Sequence, residues 1–379
     1  MLDSRTLIAN MLSRKSVDRI GLHEGFWDET MHKWVEQGYP TQTVEKDGVE
    51  YQEPVDPFHF FDFDLHRCGG FFDTEPILGT EEILEQTEEW EIRRNGAGAT
   101  LKWWKHKSGT PEHIDFQMSS REIWERDYRP HLLQVDPRRF NGKWWGNNTL
   151  DADKEEFALA KKRGQWTWFG HVFVWEVMRA SMGDLTMYEN LLLDPGWVHD
   201  FNRTYTDFFK DHFRVIFSEM GLPDGAWLYD DIAYNMGMFA SPQTFRELFL
   251  PYYVEMVEFF HGYGLPVLFH SDGNVNQALP LIREAGFVGY NPMEHKAGVD
   301  PISLAKTYGR DFIYIGGFDV RIFETNDRAL VAREIEKLLQ TMKSLEVGYV
   351  FGSDHTITPH VDYDTYRFAL DVYRKHMLY

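Results

Sequence analysis

Short apolar segments that alternate with helix-start signals constrain the fold of this chain more than any other feature. From about Leu185 to the last residue, five runs of four to six residues lack the polar alternation of a half-exposed strand, which is typical of parallel strands buried on both faces. These runs are Gly225–Asp230, Leu265–His270, Phe287–Tyr290, Phe312–Ile315 and Gly348–Gly352. Between them, a capping Asp or Ser followed by Pro predicts helix starts at Asp194, Ser241 and Asp300. Strand–helix units repeated this often most naturally close into a barrel, so we expect an α/β fold, the (β/α)8 TIM barrel.

The first half of the chain is less regular. Asp18–His23 and Gln165–Phe169 predict the first and third strands, with the second strand ending before Asp64. Glu89–Arg94 and Thr100–Lys105 predict a β-hairpin because a turn sequence joins them.

A helix is expected from about Asp136 to Lys162, where another capping Asp precedes a Pro. We therefore predict a single domain over residues 1–379. Within it, residues 66–162 are predicted to be an insertion that contains the hairpin and helices.

Charge and cysteine content exclude several classes of protein. The chain has 39 Lys and Arg against 60 Asp and Glu, a net charge of −21, which disfavours binding to nucleic acid or to an anionic membrane surface. No stretch approaches the ~20 apolar residues of a membrane-spanning helix. A single cysteine, Cys68, suits a reducing compartment, so we expect a cytoplasmic protein, with a homodimer left open.

Acidic and imidazole side chains follow nearly every predicted strand. In a barrel of this type the site lies at the carboxyl ends of the strands. Carboxylates gathered there repel one another unless a cation, a shared proton or a cationic ligand lies among them. The residues are His23, Glu24, Asp64, His171, Asp230, Asp231, His270, Asp272, Glu294, His295, Asp319, Asp354 and His355.

The strongest hypothesis from these residues is a divalent metal held by His270, Asp272 and His355. Imidazole and carboxylate donors together suit Zn²⁺, and three protein ligands leave one position for a substrate or water. The alternative is that the two histidines cap strand ends while Asp272 accepts backbone N–H groups in its turn.

Three acidic residues and two tryptophans have open interpretations. One of Asp230 and Asp231 can anchor a ligand or accept a proton while the other holds a loop. Glu294 is either functional or solvated. Trp27 and Trp168 lie near predicted strand ends in a chain that is 16% aromatic, and are candidates for stacking on a flat or cationic ligand.

These segments together resemble the uroporphyrinogen decarboxylase superfamily, which includes the decarboxylase of haem synthesis and zinc- and corrinoid-linked methyltransferases. The resemblance covers about 150 residues in family order and spacing. It rests on Asp230–Asp231, Ser241–Arg246 with Phe249–Tyr252, Pro266–Asn274, Ile315–Asp319, and Asp354–His355 with Pro359. It implies a (β/α)8 barrel, in agreement with the strand pattern.

The resemblance favours the methyltransferase branch over the decarboxylase. The decarboxylase binds its polycarboxylate substrate with an arginine-rich segment after the first strand, whereas residues 23–29 here contain no arginine. The methyltransferases bind zinc with a His-x-Cys pair after the fifth strand and a further Cys after the eighth. This chain has His270 at the His position, Asp272 at the first Cys and His355 near the second, and these residue types can still bind Zn²⁺.

The resemblance therefore implies a zinc-dependent methyltransferase that demethylates a small methoxylated or methylated compound, aromatic or cationic, and passes the methyl group to a separate corrinoid protein. The alternatives are a metal-free decarboxylase of the uroporphyrinogen type and a non-catalytic ligand-binding barrel. Predicted catalytic residues are Asp231, Glu294 and Asp64. Predicted substrate-binding residues are His23, Trp27, Trp168, His171, Asp230 and Asp319.

Overall fold

The computed structural model describes residues 1–46, 48–107, 109–141 and 149–379. The chain divides into two compact units that alternate along the sequence. The first unit comprises Met1–His66, Lys162–Trp166 and Val288–Tyr379, and the second comprises Arg67–Lys161 and Thr167–Phe287. Over the described ranges, no helix is both long enough and apolar enough to cross a membrane.

Eight short strands belong to one sheet, and every pairing described inside either unit is parallel. We number them β1 (Gly21–Leu22), β2 (Leu65–Arg67), β3 (Trp166–Val172), β4 (Gly225–Tyr229), β5 (Val267–His270), β6 (Gly289–Asn291), β7 (Ile313–Ile315) and β8 (Tyr349–Phe351). With helices following the strands, the fold is the predicted (β/α)8, TIM-like α/β architecture.

In the first unit, neighbouring strands follow the order β1, β8, β7, β6. Leu22 pairs with Phe351, and Ile315 pairs with Val350. An antiparallel hairpin joins Thr41–Lys46 to Val49–Pro54. The α-helices are Ser4–Leu12, Asp28–Glu36, Pro57–Phe60, Pro301–Tyr308, Val320–Glu324, Arg328–Ser344 and Tyr363–His376, and short 3₁₀ turns cover His295–Ala297 and Gly309–Asp311.

In the second unit, β4 lies between β3 and β5, and Tyr229 pairs with Val172 on one side and with His270 on the other. A four-stranded antiparallel sheet includes the predicted hairpin, which is thereby confirmed. Its strands are Glu82–Gln86, Trp90–Arg94, Ala99–Trp104 and Glu112–Phe116, and a small hairpin joins Ala233–Tyr234 to Gly237–Met238. The α-helices are Arg121–Ile123, Leu150–Lys162, Val174–Leu193, Pro195–Met220, Pro242–Leu248, Leu250–Gly262 and Leu279–Ala285, with a π-helical turn at Trp124–Tyr128 and 3₁₀ turns at Arg129–Leu132 and Pro137–Asn141.

Three predicted helix starts are confirmed by their caps. The side chains of Asp194, Ser241 and Asp300 each accept a backbone N–H three residues on, directly before a proline. The first stretch of the second unit is Arg67–Lys161, and the interpretation of residues 66–162 as an insertion stays a prediction.

The prediction of one helix from Asp136 to Lys162 is wrong. A 3₁₀ turn covers Pro137–Asn141, and the α-helix begins only at Leu150, with residues 142–148 outside the described ranges. Arg139 explains the turn. Its buried guanidinium donates to the carbonyl oxygens of Asp73, Glu75, Pro76 and His131, and these contacts fix its backbone against that loop.

Asp64 stands before β2 rather than after a second strand as predicted. Its carboxylate accepts two hydrogen bonds from the Arg19 guanidinium, at 2.7 and 2.6 Å, and one from the Leu22 N–H at 2.7 Å. The Asp64 N–H in turn donates to Leu22 O at 2.8 Å. The side chain is 1% exposed. Asp64 therefore joins β1 to the start of β2, and its prediction as a catalytic residue has no support from this position.

We expect Asp64→Asn to lower the free energy of unfolding by about 3 kcal/mol, because it leaves the half-buried Arg19 guanidinium without a compensating charge. Urea unfolding of the purified variant measures the change. The matched control is Glu284→Gln, which removes a carboxylate from a surface ion pair with Arg246 and should leave stability nearly unchanged. If Asp64→Asn is as stable as wild type, the ion pair between Asp64 and Arg19 has no structural role.

Candidate active site

Asp230 is buried behind the end of β4, where it holds the start of a helix. Its carboxylate accepts the N–H groups of Trp175 at 3.0 Å and Glu176 at 2.6 Å, and the Tyr253 hydroxyl donates to it. Burial raises the pKa of Asp230 to about 7. The residue is 0% exposed, so its prediction as a substrate-binding residue has no support from this arrangement.

Asp231, His270 and Asp272 come together at the carboxyl ends of β4 and β5, and we call these three residues the His270 cluster. His270 Nε2 lies 3.9 Å from Asp231 Oδ1 and 3.9 Å from Asp272 Oδ1. One donor atom from each residue lies within 4.8 Å of the others. The side chains are 21%, 36% and 34% exposed for His270, Asp231 and Asp272, so the cluster is accessible from solvent.

Backbone contacts fix the loops that bear the cluster. The Asp272 N–H donates to Asp231 Oδ1 at 2.9 Å, and the Asp230 N–H donates to His270 O at 3.0 Å. Ser271 Oγ accepts the N–H of Ile232 at 3.2 Å. The ends of β4 and β5 are therefore tied together on both sides of the three donor groups.

The His270 cluster fits a divalent metal of the zinc type. In a tetrahedral site with bonds of about 2.1 Å, ligand atoms lie roughly 3.4 Å apart, so the 3.9 Å separations close with small side-chain rotations. Two carboxylates and one imidazole leave a fourth position open. His270 and Asp272 are thus adjacent as the sequence predicts, and Asp231 supplies a third donor.

An aromatic surface, formed by Trp168, Trp227 and Tyr229, lies beside the cluster; Trp168 and Trp227 are buried, at 3% and 1% exposed, so the predicted role of Trp168 in substrate binding has no support from this arrangement. The ring centroid of Trp168 is 4.9 Å from that of Trp227 and 5.9 Å from that of Tyr229, and Tyr229 lies 4.8 Å from the His270 ring. Phe169 alternates to the other face, where it packs on Phe157 of an outer helix. The aromatic surface therefore faces away from the helices.

Gly170 makes room for the aromatic surface. A Cβ atom built at Gly170 would lie 2.7 Å from a ring carbon of Trp168 and 2.5 Å from Trp227 O. The Trp168 indole therefore lies across the glycine toward β4.

His171 lies inside β3 and not after it. Its ring packs against Phe72 and Phe209 at centroid distances of 4.5 and 5.0 Å, and its Nε2 lies 2.8 Å from Phe72 O. Burial lowers the pKa of His171 to about 4. Its predicted position after the third strand is wrong, and its surroundings are those of a core histidine.

Asp319 caps the helix Val320–Glu324. Its carboxylate accepts the Arg321 N–H at 3.0 Å and pairs with the Arg321 guanidinium at 2.6 Å. Hydrogen bonds from Arg321 hold the pKa of Asp319 below its usual value despite partial burial. The geometry is that of a helix cap, so the predicted role in substrate binding has no support from it.

Four other predicted residues belong to the first unit. Burial lowers the pKa of His23 to about 4, and its ring lies 6.2 Å from that of Phe58. The rings of Trp27 and His355 lie 6.3 Å apart. Glu294 is 5% exposed and pairs with Lys296 Nζ at 2.8 Å. Their roles as substrate, metal or catalytic groups stay predictions.

The sequence interpretation did not single out Glu176, which lies beside the acidic end of β4. Burial, with Asp231 and then Asp230 nearby, raises the pKa of Glu176 to about 8. Its position in the sequence could have indicated it, because Glu176 lies four residues after Val172, in the first turn of the helix that follows β3. The three carboxyl groups at this end of the second unit thus disfavour one another's ionisation, and a bound cation would offset that repulsion.

The chain is similar to known proteins in sequence and in fold. A family model described as uroporphyrinogen decarboxylase (URO-D) matches residues 180–376, just over half of the chain. No curated protein sequence matches. Among solved structures, a methyltransferase from Methanosarcina mazei is 12% identical with a TM-score of 0.63, covering 99% of each chain. A psychrophilic glycoside hydrolase family 10 endo-β-1,4-xylanase is 8% identical with a TM-score of 0.39, covering 62% of this chain and 85% of its own. The likeness to the methyltransferase shows a shared fold.

We expect stability to fall as the pH drops from 6.5 to 4, because folded His171 stays neutral while the unfolded histidine takes up a proton. At roughly 1.4 kcal/mol per pKa unit, this residue accounts for about 3 kcal/mol across that window. Urea unfolding of His171→Gln at pH 7 and pH 4 should show a correspondingly weaker pH dependence. His261→Gln, at an exposed position of the same unit, is the control. If the stability of His171→Gln depends on pH as strongly as that of wild type, His171 is not the source of this pH dependence.

Proposed function

Because the chain belongs to the uroporphyrinogen decarboxylase family, we propose that it is a zinc-dependent methyltransferase. It removes a methyl group from a small methoxylated or methylated compound and passes it to a corrinoid held by a separate protein. The observation that supports this most directly is the His270 cluster, in which one imidazole and two carboxylates converge at the carboxyl ends of β4 and β5.

His270, Asp231 and Asp272 would hold the metal. Bound Zn²⁺ supplies Lewis acidity toward a heteroatom, and a nitrogen- and oxygen-ligated ion is a harder Lewis acid than a thiolate-ligated one. Such a site suits an ether oxygen, the atom that bears the methyl group in a methoxylated compound.

Residues around the cluster position the ligands and the substrate. Asp231 accepts the Asp272 N–H, so one carboxylate fixes the loop that bears the other. Tyr229 packs against the His270 ring and restricts its orientation. Within the aromatic surface Trp168 and Trp227 are buried, so a flat or cationic substrate would stack on the half-buried ring of Tyr229.

We expect the purified protein, loaded with Zn²⁺ and then dialysed, to retain about one ion per chain by elemental analysis. His270→Ala, Asp272→Ala and Asp231→Ala should each weaken zinc affinity at least ~10-fold, because each removes one of three ligands. His261→Ala removes an exposed histidine from the same unit and should not alter zinc content. His355→Ala tests the third ligand predicted from the sequence.

Equal zinc content in wild type and a His270→Ala/Asp272→Ala double variant would contradict the metal site. Circular dichroism of each variant shows whether a loss of zinc reflects a loss of fold.

Methyl transfer can be measured with free cob(I)alamin as acceptor, followed by its visible absorbance. We expect zinc-loaded protein to methylate it from at least one compound in a panel of methoxybenzenes and methylated amines, and Asp272→Ala to reduce the rate by at least ~100-fold, because it removes a ligand of the group that activates the methyl donor. Turnover of uroporphyrinogen to a decarboxylated product would instead support the metal-free decarboxylase. Tight ligand binding without turnover would support the non-catalytic barrel.

A further inference from the structure

A cavity of about 180 Å³ opens at the amino ends of β1, β7 and β8 in the first unit. Phe312 and Gly348, which directly precede β7 and β8, line it together with Val17, four residues before β1. The predicted site residues Glu294 and His355 of this unit instead follow β6 and β8. The cavity therefore lies at the opposite ends of the strands from the residues predicted to take part in the reaction.

Three cationic side chains and one carboxylate line this cavity, which we call the basic cavity. The cations are Arg14, Lys15 and Arg310, and the carboxylate is that of Glu346. A net charge of +2 is thus concentrated here, in a chain whose overall charge is −21. Because the overall charge repels anions, this local reversal of sign gives an anion a physical reason to bind here.

The acidic neighbours leave much of this positive charge available. Glu346 pairs with Arg310 at 3.4 Å, and its side chain is 79% exposed, so water screens the pair. Asp311 pairs with Arg14 at 3.3 Å, also at the surface. The exposed side chain of Lys15 makes no ion pair or hydrogen bond with any residue that the structure describes. This ammonium group is therefore free to contact a bound anion.

The turn that ends the helix Ser4–Leu12 fixes the backbone of Arg14 and Lys15. The N–H of Arg14 donates to Met11 O at 3.1 Å, and the N–H of Lys15 donates to Asn10 O at 2.8 Å. In such a turn the residue at the position of Arg14 is left-handed, here with a φ of 57°. Glycine is usual there because it has no Cβ, so arginine carries a backbone cost. A role for the Arg14 side chain would account for that cost.

A second helix end supplies a backbone donor. The helix Arg328–Ser344 is followed by Glu346, whose φ is 53° and whose N–H donates to Lys343 O at 3.0 Å. The next N–H, that of Val347, corresponds to the bonded N–H of Lys15, but it has no hydrogen-bond acceptor within the described ranges of the chain. Val347 is buried and lines the basic cavity. An oxygen atom of a ligand would satisfy this N–H.

The floor of the basic cavity is apolar and its rim is charged. Met11, Phe312 and Val347 are buried beneath it, whereas the side chains of Arg14 and Arg310 are 59% and 50% exposed. The cavity has the volume of roughly six water molecules in the liquid, which is enough for a phosphate group with a short organic chain. A ligand would therefore bind at the rim without displacing the core.

We propose that the basic cavity binds the phosphate group of a small organic phosphate. Arg14 and Arg310 offer planar sets of N–H donors and Lys15 offers a compact charge, and together they match the charge and the oxygen atoms of a phosphate dianion. The N–H of Val347 adds a neutral donor of the kind found in backbone anion sites. This binding does not depend on the proposed methyl transfer, because the cavity lies at the other ends of the strands.

Isothermal titration with inorganic phosphate and with glycerol phosphate tests this proposal, with glycerol and acetate as comparison ligands. We expect one saturable phosphate site per chain, weaker at higher ionic strength because the contacts are between charges. Lys15→Met and Arg310→Met should each weaken phosphate binding at least ~5-fold, because each removes a charge-assisted hydrogen bond. Glu346→Gln should tighten it, because a carboxylate that repels the anion is removed. Arg333→Met, in an exposed ion pair of the same unit, should not alter it.

The opposite effects expected of the variants separate a change of charge from a loss of fold, since a misfolded Glu346→Gln would not bind more tightly. No saturable binding of either phosphate, or unaltered binding by a Lys15→Met/Arg310→Met double variant, would overturn the proposal. Acetate binding as tight as that of phosphate would overturn the choice of phosphate.

The same titrations on zinc-loaded and zinc-free protein separate this inference from the proposed function. Phosphate binding that depends on Lys15 in both forms supports the basic cavity, whether or not zinc binding and methyl transfer are found. Phosphate binding that requires zinc and is unaltered in Lys15→Met belongs to a metal-bound anion, and it would overturn the proposal.

Discussion

At the end of β4 two adjacent carboxylates point to opposite sides of the strand, because successive side chains alternate across it. Asp230 turns toward the helix Val174–Leu193 and satisfies two of its first N–H groups. Asp231 turns to the face that bears Tyr229 and His270. The site depends on this separation. One carboxylate anchors a helix that holds the strand end in place, and the other is left within reach of a cation.

The apolar runs and proline-linked caps predicted the second half of the fold because both signals are local. A strand buried on both faces appears in the sequence as an uninterrupted apolar segment. A helix cap depends on residues no more than four positions apart. The predictions failed at positions whose structure depends on contacts between residues far apart in the sequence. The sequence around Asp64 resembles a strand end, but the ion pair with Arg19 holds this carboxylate before β2. The strand β2 has only three residues, too few to show a periodic pattern of apolar side chains.

The candidate site was predicted in part for the same reason. His270 and Asp272 follow directly from the end of an apolar run, and their proximity needs only a local turn. The third donor, Asp231, required knowing which side of β4 each carboxylate faces, which depends on Tyr253 and the helix after β3. His171 was misplaced because β3 continues three residues beyond the aromatic run Trp166–Phe169, so its ring lies within the strand.

Gly170 shows how a residue without a side chain can determine how the rings around it pack. The indole of Trp168 occupies the space where any other residue would have its first side-chain carbon. A substitution there would force the indole away from Trp227 and Tyr229, although neither partner and no charged group had been altered. The packing of the rings between Trp168 and His270 is thus set by an atom that the sequence lacks.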